Sequence, residues 1–256
     1  MILLKSPSEI VKMRAANRIV AELLDAFVPM IKAGVNTLEL DEYATKYITQ
    51  RGGRPAFKGY TVSGLPPFPA AICASVNEGI VHGIPSAKTI LEDGDIIGID
   101  VGVELDGYFG DGARTYGVGS ISQAAQKLLD VTKTALQLGI EAAQPNARVG
   151  DISHAIQSYV RSQGFYCADN LTGHGIGRAL HEDPQIPNIG QAGRGPRLKA
   201  GMTIAIEPMV NIGTNRVKER GWEFFTADGS LSAHFEHTIH ISASGPEILT
   251  VAGENQ

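Results

Sequence analysis

The sequence has few cysteines and no long apolar segment. Its two cysteines, Cys73 and Cys167, are far apart in a chain of 256 residues and form no Cys-x-x-Cys pair. This excludes a disulfide framework and a cysteine-based zinc module, and it predicts a reducing, cytoplasmic location. The apolar stretches are too short for a signal peptide or a membrane-spanning helix, so we expect no membrane binding.

The chain also lacks an excess of basic residues. Lys and Arg number 22 against 27 Asp and Glu, which gives a formal net charge of −5. Because no basic block stands out, the sequence is not typical of a general nucleic-acid binder. Length and composition are ordinary for a globular protein, and we expect one compact domain over residues 1–256.

Hydrophobic periodicity predicts four helices in two pairs. They share apolar residues three and four positions apart, and they cover residues 7–31, 36–52, 121–143 and 149–164. The first helix is expected to continue past Pro29 to about Ile31. Residues 54–70 are rich in proline and glycine, which predicts a long irregular loop.

A β-hairpin is predicted over residues 96–115, where β-branched and aromatic runs flank Asp106-Gly107. A longer loop would place Asp100 opposite Asp111, whereas a tight turn at Asp106-Gly107 would leave them diagonal on one face. In either register two carboxylates meet among isoleucines, and they repel unless a cation lies between them. An exposed, hydrated hairpin is the alternative interpretation.

The two halves of the chain resemble each other. Segment 94–100, Gly-x-Ile-Ile-x-Ile-Asp, matches segment 201–207, Gly-x-Thr-Ile-x-Ile-Glu, and the helical patterns of 40–52 and 152–164 match at a similar offset. Each half would contain two helices and a strand hairpin. We therefore expect an α+β fold with pseudo-twofold symmetry and a curved, mostly antiparallel sheet backed by helices.

Further candidates for a polar site lie in the second half. Glu207 follows an apolar strand and Glu236 lies within another, where a carboxylate is seldom buried unless it is paired or metal-bound. His174 and His181 lie in a glycine-rich segment, 173–184, whose backbone must turn sharply. A phosphate-binding loop is the alternative, but neither the Walker nor the Rossmann spacing is present. Each residue by itself is compatible with a structural role.

Taken together, these residues resemble the metal ligands of the pita-bread metallopeptidases of family M24, and in detail those of type I methionine aminopeptidases. The resemblance extends from about residue 6 to residue 249. It is carried by segments 75–85, 96–115, 173–184, 205–208 and 230–238. It implies the pita-bread fold.

The resemblance also implies a pair of divalent cations. Asp100 would bind one metal, His174 and Glu207 would bind the other, and Asp111 and Glu236 would bridge the two. An oxygen-rich ligand set of this kind suits Mn, Fe(II) or Co, with Zn possible. A water or hydroxide between the cations would attack the scissile carbonyl.

Three residues would take part in catalysis by the same resemblance. Glu207 would also shuttle the proton from the attacking water to the leaving amine. His82 would contact the substrate near the scissile amide nitrogen, and His181 would stabilise the tetrahedral oxyanion.

A methionine-sized pocket is implied as well. Tyr60, Cys73 and Trp222 match positions that line it, although Cys73 could equally be a small buried residue. The sequence departs from the family pattern at Leu180, where we expect Phe. Leu65 and Phe68 are the two candidates for the part of the pocket wall where the family has an aromatic residue. The remaining histidines are interpreted as structural or surface residues: His154, His234, His237 and His240.

The implied function is a cytoplasmic, metal-dependent aminopeptidase that removes the N-terminal methionine of nascent proteins when the second residue is small and uncharged. Such a protein would be a monomer, bind the ribosome transiently, and bind neither nucleic acid directly nor membranes. Type II enzymes carry an insertion that is not seen between Glu207 and Glu236, and prolidases carry an additional N-terminal domain. A non-catalytic binding module is the remaining alternative, but all five ligands are present.

Overall fold

The computed structural model describes residues 1–253, which contain four helices. The helices are α1 (Pro7–Phe27), α2 (Thr37–Gln50), α3 (Gln123–Ala142) and α4 (Val149–Ser162). Ser6 and Asn36 each form a capping box with the glutamate three residues later. Within residues 1–253 no helix is long and apolar enough to cross a membrane.

Helix α1 is shorter than the periodicity predicts. It ends at Phe27, so the prediction that it continues through Pro29 to about Ile31 is wrong. Proline has no N–H to donate to the carbonyl four residues back, and it restricts the backbone of the preceding residue. The chain instead closes with a turn in which the N–H of Met30 donates to the carbonyl oxygen of Phe27 at 2.8 Å.

The strands are short except for the two that form the central hairpin. They are β1 (Arg54–Pro55), β2 (Ile72–Val76), β3 (Gly79–Val81), β4 (Ile96–Leu105), β5 (Tyr108–Gly117), β6 (Tyr166–Cys167), β7 (Thr172–Gly175), β8 (Glu182–Pro187), β9 (Thr203–Ile206), β10 (Met209–Asn211), β11 (Val217–Arg220), β12 (Glu223–Thr226), β13 (Ser232–His234), β14 (His237–Ile241) and β15 (Pro246–Ile248). Because β1 pairs with β4, the prediction of an irregular loop over 54–70 is wrong for its first two residues.

The strand pairs between these elements are antiparallel, as predicted. The largest sheet has the order β15-β14-β9-β7-β8, and a second sheet contains β1-β4-β2 with β5 beside β4. These two sheets join at a seam, where the N–H of Glu236 donates to the carbonyl of Ala113 at 2.9 Å and the Thr238 hydroxyl donates to that of Asp111 at 2.8 Å. The seam therefore places strands from the two halves of the chain side by side.

Each half of the chain buries its own pair of helices. In the first half, α1 and α2 pack on β2 and β4 through residues such as Leu23 and Ile97. In the second half, α3 and α4 pack on β9 and β14 through residues such as Leu136 and Ile206. The two arrangements agree with the predicted repeat of two helices and a hairpin in each half. The mixture of helices and antiparallel sheets agrees with the predicted α+β class.

The register of the hairpin follows from its turn. Leu105 pairs with Tyr108, and both turn residues, Asp106 at φ 51° and Gly107 at φ 76°, lie in the left-handed region. This is the two-residue turn that asparagine or aspartate followed by glycine favours. Asp100 pairs with Ala113, and Asp111 pairs with Gly102. Each aspartate is therefore offset by two positions from the residue opposite the other. The two aspartates are therefore diagonal on one face, and Asp106 is a turn residue.

Candidate active site

The five residues predicted to bind metal converge at the seam between the halves. They line one cavity of about 320 Å³ and lie on β4 (Asp100), on β5 (Asp111), on β7 (His174), directly after β9 (Glu207) and between β13 and β14 (Glu236). Asp111 and Glu236 are each only 3% exposed, and His174 is 8% exposed. Such burial is unusual for carboxylates unless they are paired or bound to a metal.

Asp111, His174 and Glu236 form the tightest group in this cluster. Their ligand atoms all lie within 4.8 Å of one another. Nε2 of His174 is 3.7 Å from Oδ2 of Asp111 and 3.6 Å from Oε1 of Glu207. Nδ1 of the same ring is 2.9 Å from the carbonyl oxygen of Gly175, which it reaches as a donor. This contact leaves the lone pair of Nε2 directed towards the carboxylates, as a metal ligand requires.

The glycines on either side of His174 allow β7 to pack closely against the neighbouring backbone. A Cβ on Gly173 would lie 2.4 Å from the carbonyl oxygen of Ala205, and one on Gly175 would lie 2.2 Å from that of Asp183. Only glycine permits the backbone of β7 to approach both neighbours so closely. The glycine-rich segment thus serves to place an imidazole between two strands.

Burial and mutual repulsion make the carboxylates weak acids. Burial raises the pKa of Asp100 to about 7. Burial first, and neighbouring carboxylates second, raise the pKa values of Asp111, Glu207 and Glu236. Among residues 1–253, buried oxygens of Asp100 (Oδ1) and Glu236 (Oε1) have no hydrogen-bond partner. Unpaired buried oxygens, several carboxylates and one imidazole are a donor set that fits divalent cations.

His82 lines the same cavity. Its backbone has a φ of 58°, which is rare for a residue other than glycine and indicates that its orientation is imposed by the fold. The ring meets Phe224 edge-on at 5.5 Å between centroids. Burial, followed by the proximity of His181, lowers its pKa to about 4, so His82 is a neutral imidazole at neutral pH.

His181 is oriented by a hydrogen bond with Tyr60. The phenolic oxygen is 2.7 Å from Nδ1 of His181, and the ring centroids of His181 and His174 are 4.3 Å apart. Burial lowers the pKa of His181. If the phenol donates to Nδ1, then Nε2 carries the proton of the neutral ring and is a hydrogen-bond donor.

The apolar part of the cavity lies beside the carboxylates. Phe68 packs edge-on against Trp222 at 5.5 Å, and the indole N–H donates to the carbonyl of Pro66 at 2.8 Å. Phe68 lines the cavity, whereas Leu65 only packs against the surrounding cluster. Cys73 both lines the cavity and is buried, and its burial raises the pKa of the thiol.

Leu180 and Tyr60 complete the wall of this cavity. All five residues predicted to contact substrate therefore lie around one cavity: Tyr60, Cys73, His82, His181 and Trp222.

His234 is a neighbour of the site that the sequence interpretation missed. Its Nε2 lies 3.6 Å from Oε2 of Glu207 and 3.9 Å from Oε2 of Glu236, and it has no hydrogen-bond partner in the part of the chain described. Glu207 thus lies between two imidazoles, with His174 near one oxygen and His234 near the other. The sequence signal for this residue is its position two residues before Glu236, because alternate residues of an extended chain share a face.

Known proteins give independent information about this arrangement. The sequence model of the protein family "Metallopeptidase family M24" matches residues 11–243, which is most of the chain. The chain belongs to metallopeptidase family M24. This M24 chain is 49% identical to a methionine aminopeptidase of Clostridium perfringens, over 98% of this chain and 99% of that protein. It is 50% identical to methionine aminopeptidase 1 of Bacillus subtilis, with the same shares covered.

Solved structures give the same result. The M24 chain matches a methionine aminopeptidase from Thermotoga maritima with a TM-score of 0.94 and 45% identity, over 98% of this chain and 100% of that one. A prolidase from Pyrococcus horikoshii matches with a TM-score of 0.79 at 22% identity, over 65% of its length, which shows the shared fold alone. The predicted pita-bread fold and the resemblance to methionine aminopeptidases are confirmed.

Proposed function

We propose that this M24 protein is a methionine aminopeptidase that acts on chains whose second residue is small and uncharged. The observation that carries the proposal is the convergence of four carboxylates and one imidazole beside an apolar pocket. The similarity to proteins named methionine aminopeptidases, over nearly the full length of each, supports the same activity. The preference for the second residue comes from the family resemblance.

The proposed cofactors are two divalent cations: Mn, Fe(II) or Co, with Zn possible. Asp111 and Glu236 would be shared, Asp100 would complete one site, and His174 and Glu207 would complete the other. When bound, the cations would activate a water for attack and polarise the scissile carbonyl.

The side chains of the protein would move the protons and stabilise the charge. Glu207, whose pKa is raised by burial, would take a proton from the attacking water and pass it to the leaving amine. His82, a neutral imidazole, would face the scissile amide nitrogen. His181 would donate from Nε2 to the developing oxyanion, with Tyr60 holding its other nitrogen.

The apolar wall would hold the methionine side chain of the substrate. Phe68 and Trp222 offer aromatic edges and faces that a thioether contacts favourably, and Cys73 leaves room for an unbranched side chain. Replacing the phenylalanine expected by family resemblance with Leu180 keeps the pocket apolar.

We further propose that residues 1–256 act as one catalytic domain, as a monomer in the cytoplasm. The substrates would be the N-termini of nascent polypeptides, and a transient contact with the ribosome would bring the enzyme to them. Two buried, free cysteines agree with a reducing compartment. The net charge of −5 gives no support to direct nucleic-acid binding.

A direct assay tests the proposed activity. Purified protein with Mn(II) is incubated with Met-Ala-Ser and with Met-Glu-Ser, and free methionine is measured by mass spectrometry, with EDTA-treated protein as the control. We expect methionine from Met-Ala-Ser only, and only with metal. An intact Met-Ala-Ser peptide would contradict the proposal and favour a non-catalytic binding module.

A further inference from the structure

An ion pair links the start of the chain to the loop that carries His181. Nζ of Lys5 lies 2.5 Å from Oε2 of Glu182, and the two side chains are only 3% and 7% exposed. The backbone N–H of Lys5 also donates to the carbonyl of Gly201 at 2.7 Å, which fixes the lysine beside the second-half sheet. Charged side chains are almost never so buried unless they are paired.

The other oxygen of Glu182 holds the backbone of the loop. Oε1 accepts the N–H groups of Arg178 at 2.7 Å and Ala179 at 3.2 Å. The loop packs directly on the lysine, since a Cβ on Gly177 would lie 2.2 Å from Cε of Lys5. One carboxylate therefore connects a buried cation to the residues immediately before His181.

A second, weaker contact reaches the loop from α1. The guanidinium of Arg178 donates to Oε1 of Glu9 at 2.8 and 3.0 Å, but this arginine side chain is 67% exposed. An exposed pair of this kind contributes little to stability or rigidity. Of these two side-chain contacts, the buried pair is the one that can restrain the loop.

We propose that Lys5 and Glu182 are positioning residues for His181. Removing two charges from water offsets much of their mutual attraction, so a buried ion pair is a poor source of stability. Oε1 of Glu182 instead fixes the turn before His181 by accepting the two backbone N–H groups. Tyr60 fixes the imidazole ring. The proposal rests on the proposed function, in which His181 contacts the oxyanion.

Two double variants separate positioning from stability. Lys5→Met with Glu182→Leu removes both charges and the acceptor. Lys5→Met with Glu182→Gln also removes both charges, but it keeps an amide oxygen that can accept the two N–H groups. Neither double variant leaves an unpaired buried charge, so both avoid the large penalty of a single substitution.

Steady-state kinetics with Met-Ala-Ser and Mn(II) is the first measurement. We expect kcat of the leucine double variant to fall by about ten- to a hundredfold, because a small misplacement of a contact to the transition state is costly. KM should change little, and the glutamine double variant should recover most of kcat. A kcat at the wild-type level in the leucine variant, or equal kcat values in the two variants, would overturn the proposal.

The orientation of His181 supplies a readout that does not depend on turnover. In full-length protein labelled with [15N]histidine and loaded with diamagnetic Zn(II), the ring signals of His181 should shift in the leucine double variant and return in the glutamine double variant. Unchanged signals in both would contradict the proposal.

Leu128→Ala, a fully buried substitution on α3, serves as the control for destabilisation. It should lower the melting temperature without changing kcat at 25 °C. Failure of the wild-type protein to release methionine would refute the proposed function. Active wild-type protein with an unaffected leucine variant would refute only the positioning role.

Discussion

Binding of divalent cations should displace protons from the carboxylate cluster. Without metal, burial raises the pKa of Asp100 to about 7, and the other three carboxylates are raised as well. Metal ligands must be deprotonated, so each retained proton competes with the cation. At pH 6, about one unit below the pKa of Asp100, this group alone weakens binding by ~1.4 kcal/mol, or about tenfold.

The histidine of the cluster does not contribute to this release. Burial lowers the pKa of His174 to about 3, so its ring is neutral in the folded protein above that pH. The imidazole therefore adds no proton to the count.

Calorimetry measures this release directly. Mn(II) is titrated into metal-free protein at pH 6 and at pH 8, each in two buffers of different ionisation enthalpy. We expect at least one proton to be released at pH 6, with affinity rising at pH 8. Glu141→Gln, which replaces an exposed carboxylate on α3, should leave the count unchanged. Equal heats in the two buffers and a pH-independent affinity would refute the reasoning.

The same groups set the sign of the pH dependence of metal-free stability. Their folded pKa values exceed the unfolded ones, so the folded state holds extra protons and loses stability as pH rises through the folded values. Buried histidines such as His82, with a pKa lowered to about 4, act in the opposite direction, but only below about pH 6.5. Between pH 6.5 and 8, urea unfolding in EDTA should show stability falling by ~1.4 kcal/mol per pH unit for each retained proton. A rise over this interval would contradict the assignment.

Further predictions concern single side chains around the site. Tyr60→Phe should lower kcat by about tenfold with little change in KM, because one hydrogen bond to His181 is lost; unchanged kcat would contradict this orienting role. His234→Leu should lower kcat and His234→Gln should restore it, since glutamine keeps a polar side chain that can face Glu207; equal rates in the two variants would show that the contact is unimportant. Glu207→Ala should abolish turnover and lower metal content measured by mass spectrometry, and near-normal activity would exclude its assigned role. His82→Ala should depress turnover strongly with metal content intact, so loss of both metals would show that His82 is misassigned.

The hairpin shows how much of the site local sequence can predict. Asp106-Gly107 predicts a tight turn, and period-two alternation then places Asp100 and Asp111 on one face whichever register is chosen. The choice between the two registers needed the structure, in which Leu105 pairs with Tyr108. Local signals therefore predicted the pair of carboxylates, and the turn determined their offset.

Long-range contacts were beyond the reach of the sequence patterns. Lys5 and Glu182 are 177 residues apart, and no periodicity connects them. His234 lies beside Glu207 because β13 pairs with β10, which places His234 opposite Met209, two residues after Glu207, and no local pattern predicts that pairing. The end of α1 was missed for a different reason, since its apolar pattern continues past Pro29 to Ile31, which is buried outside the helix.

We propose that five residues from both halves of the chain hold two neighbouring divalent cations. Crystals grown with Mn(II), measured at a wavelength where manganese scatters anomalously, test it directly. We expect two anomalous peaks about 3.5–4 Å apart, both within bonding distance of Asp111 and Glu236, with His174 and Glu207 on one ion and Asp100 on the other. Peaks only elsewhere on the protein, or none at this cluster, would contradict it.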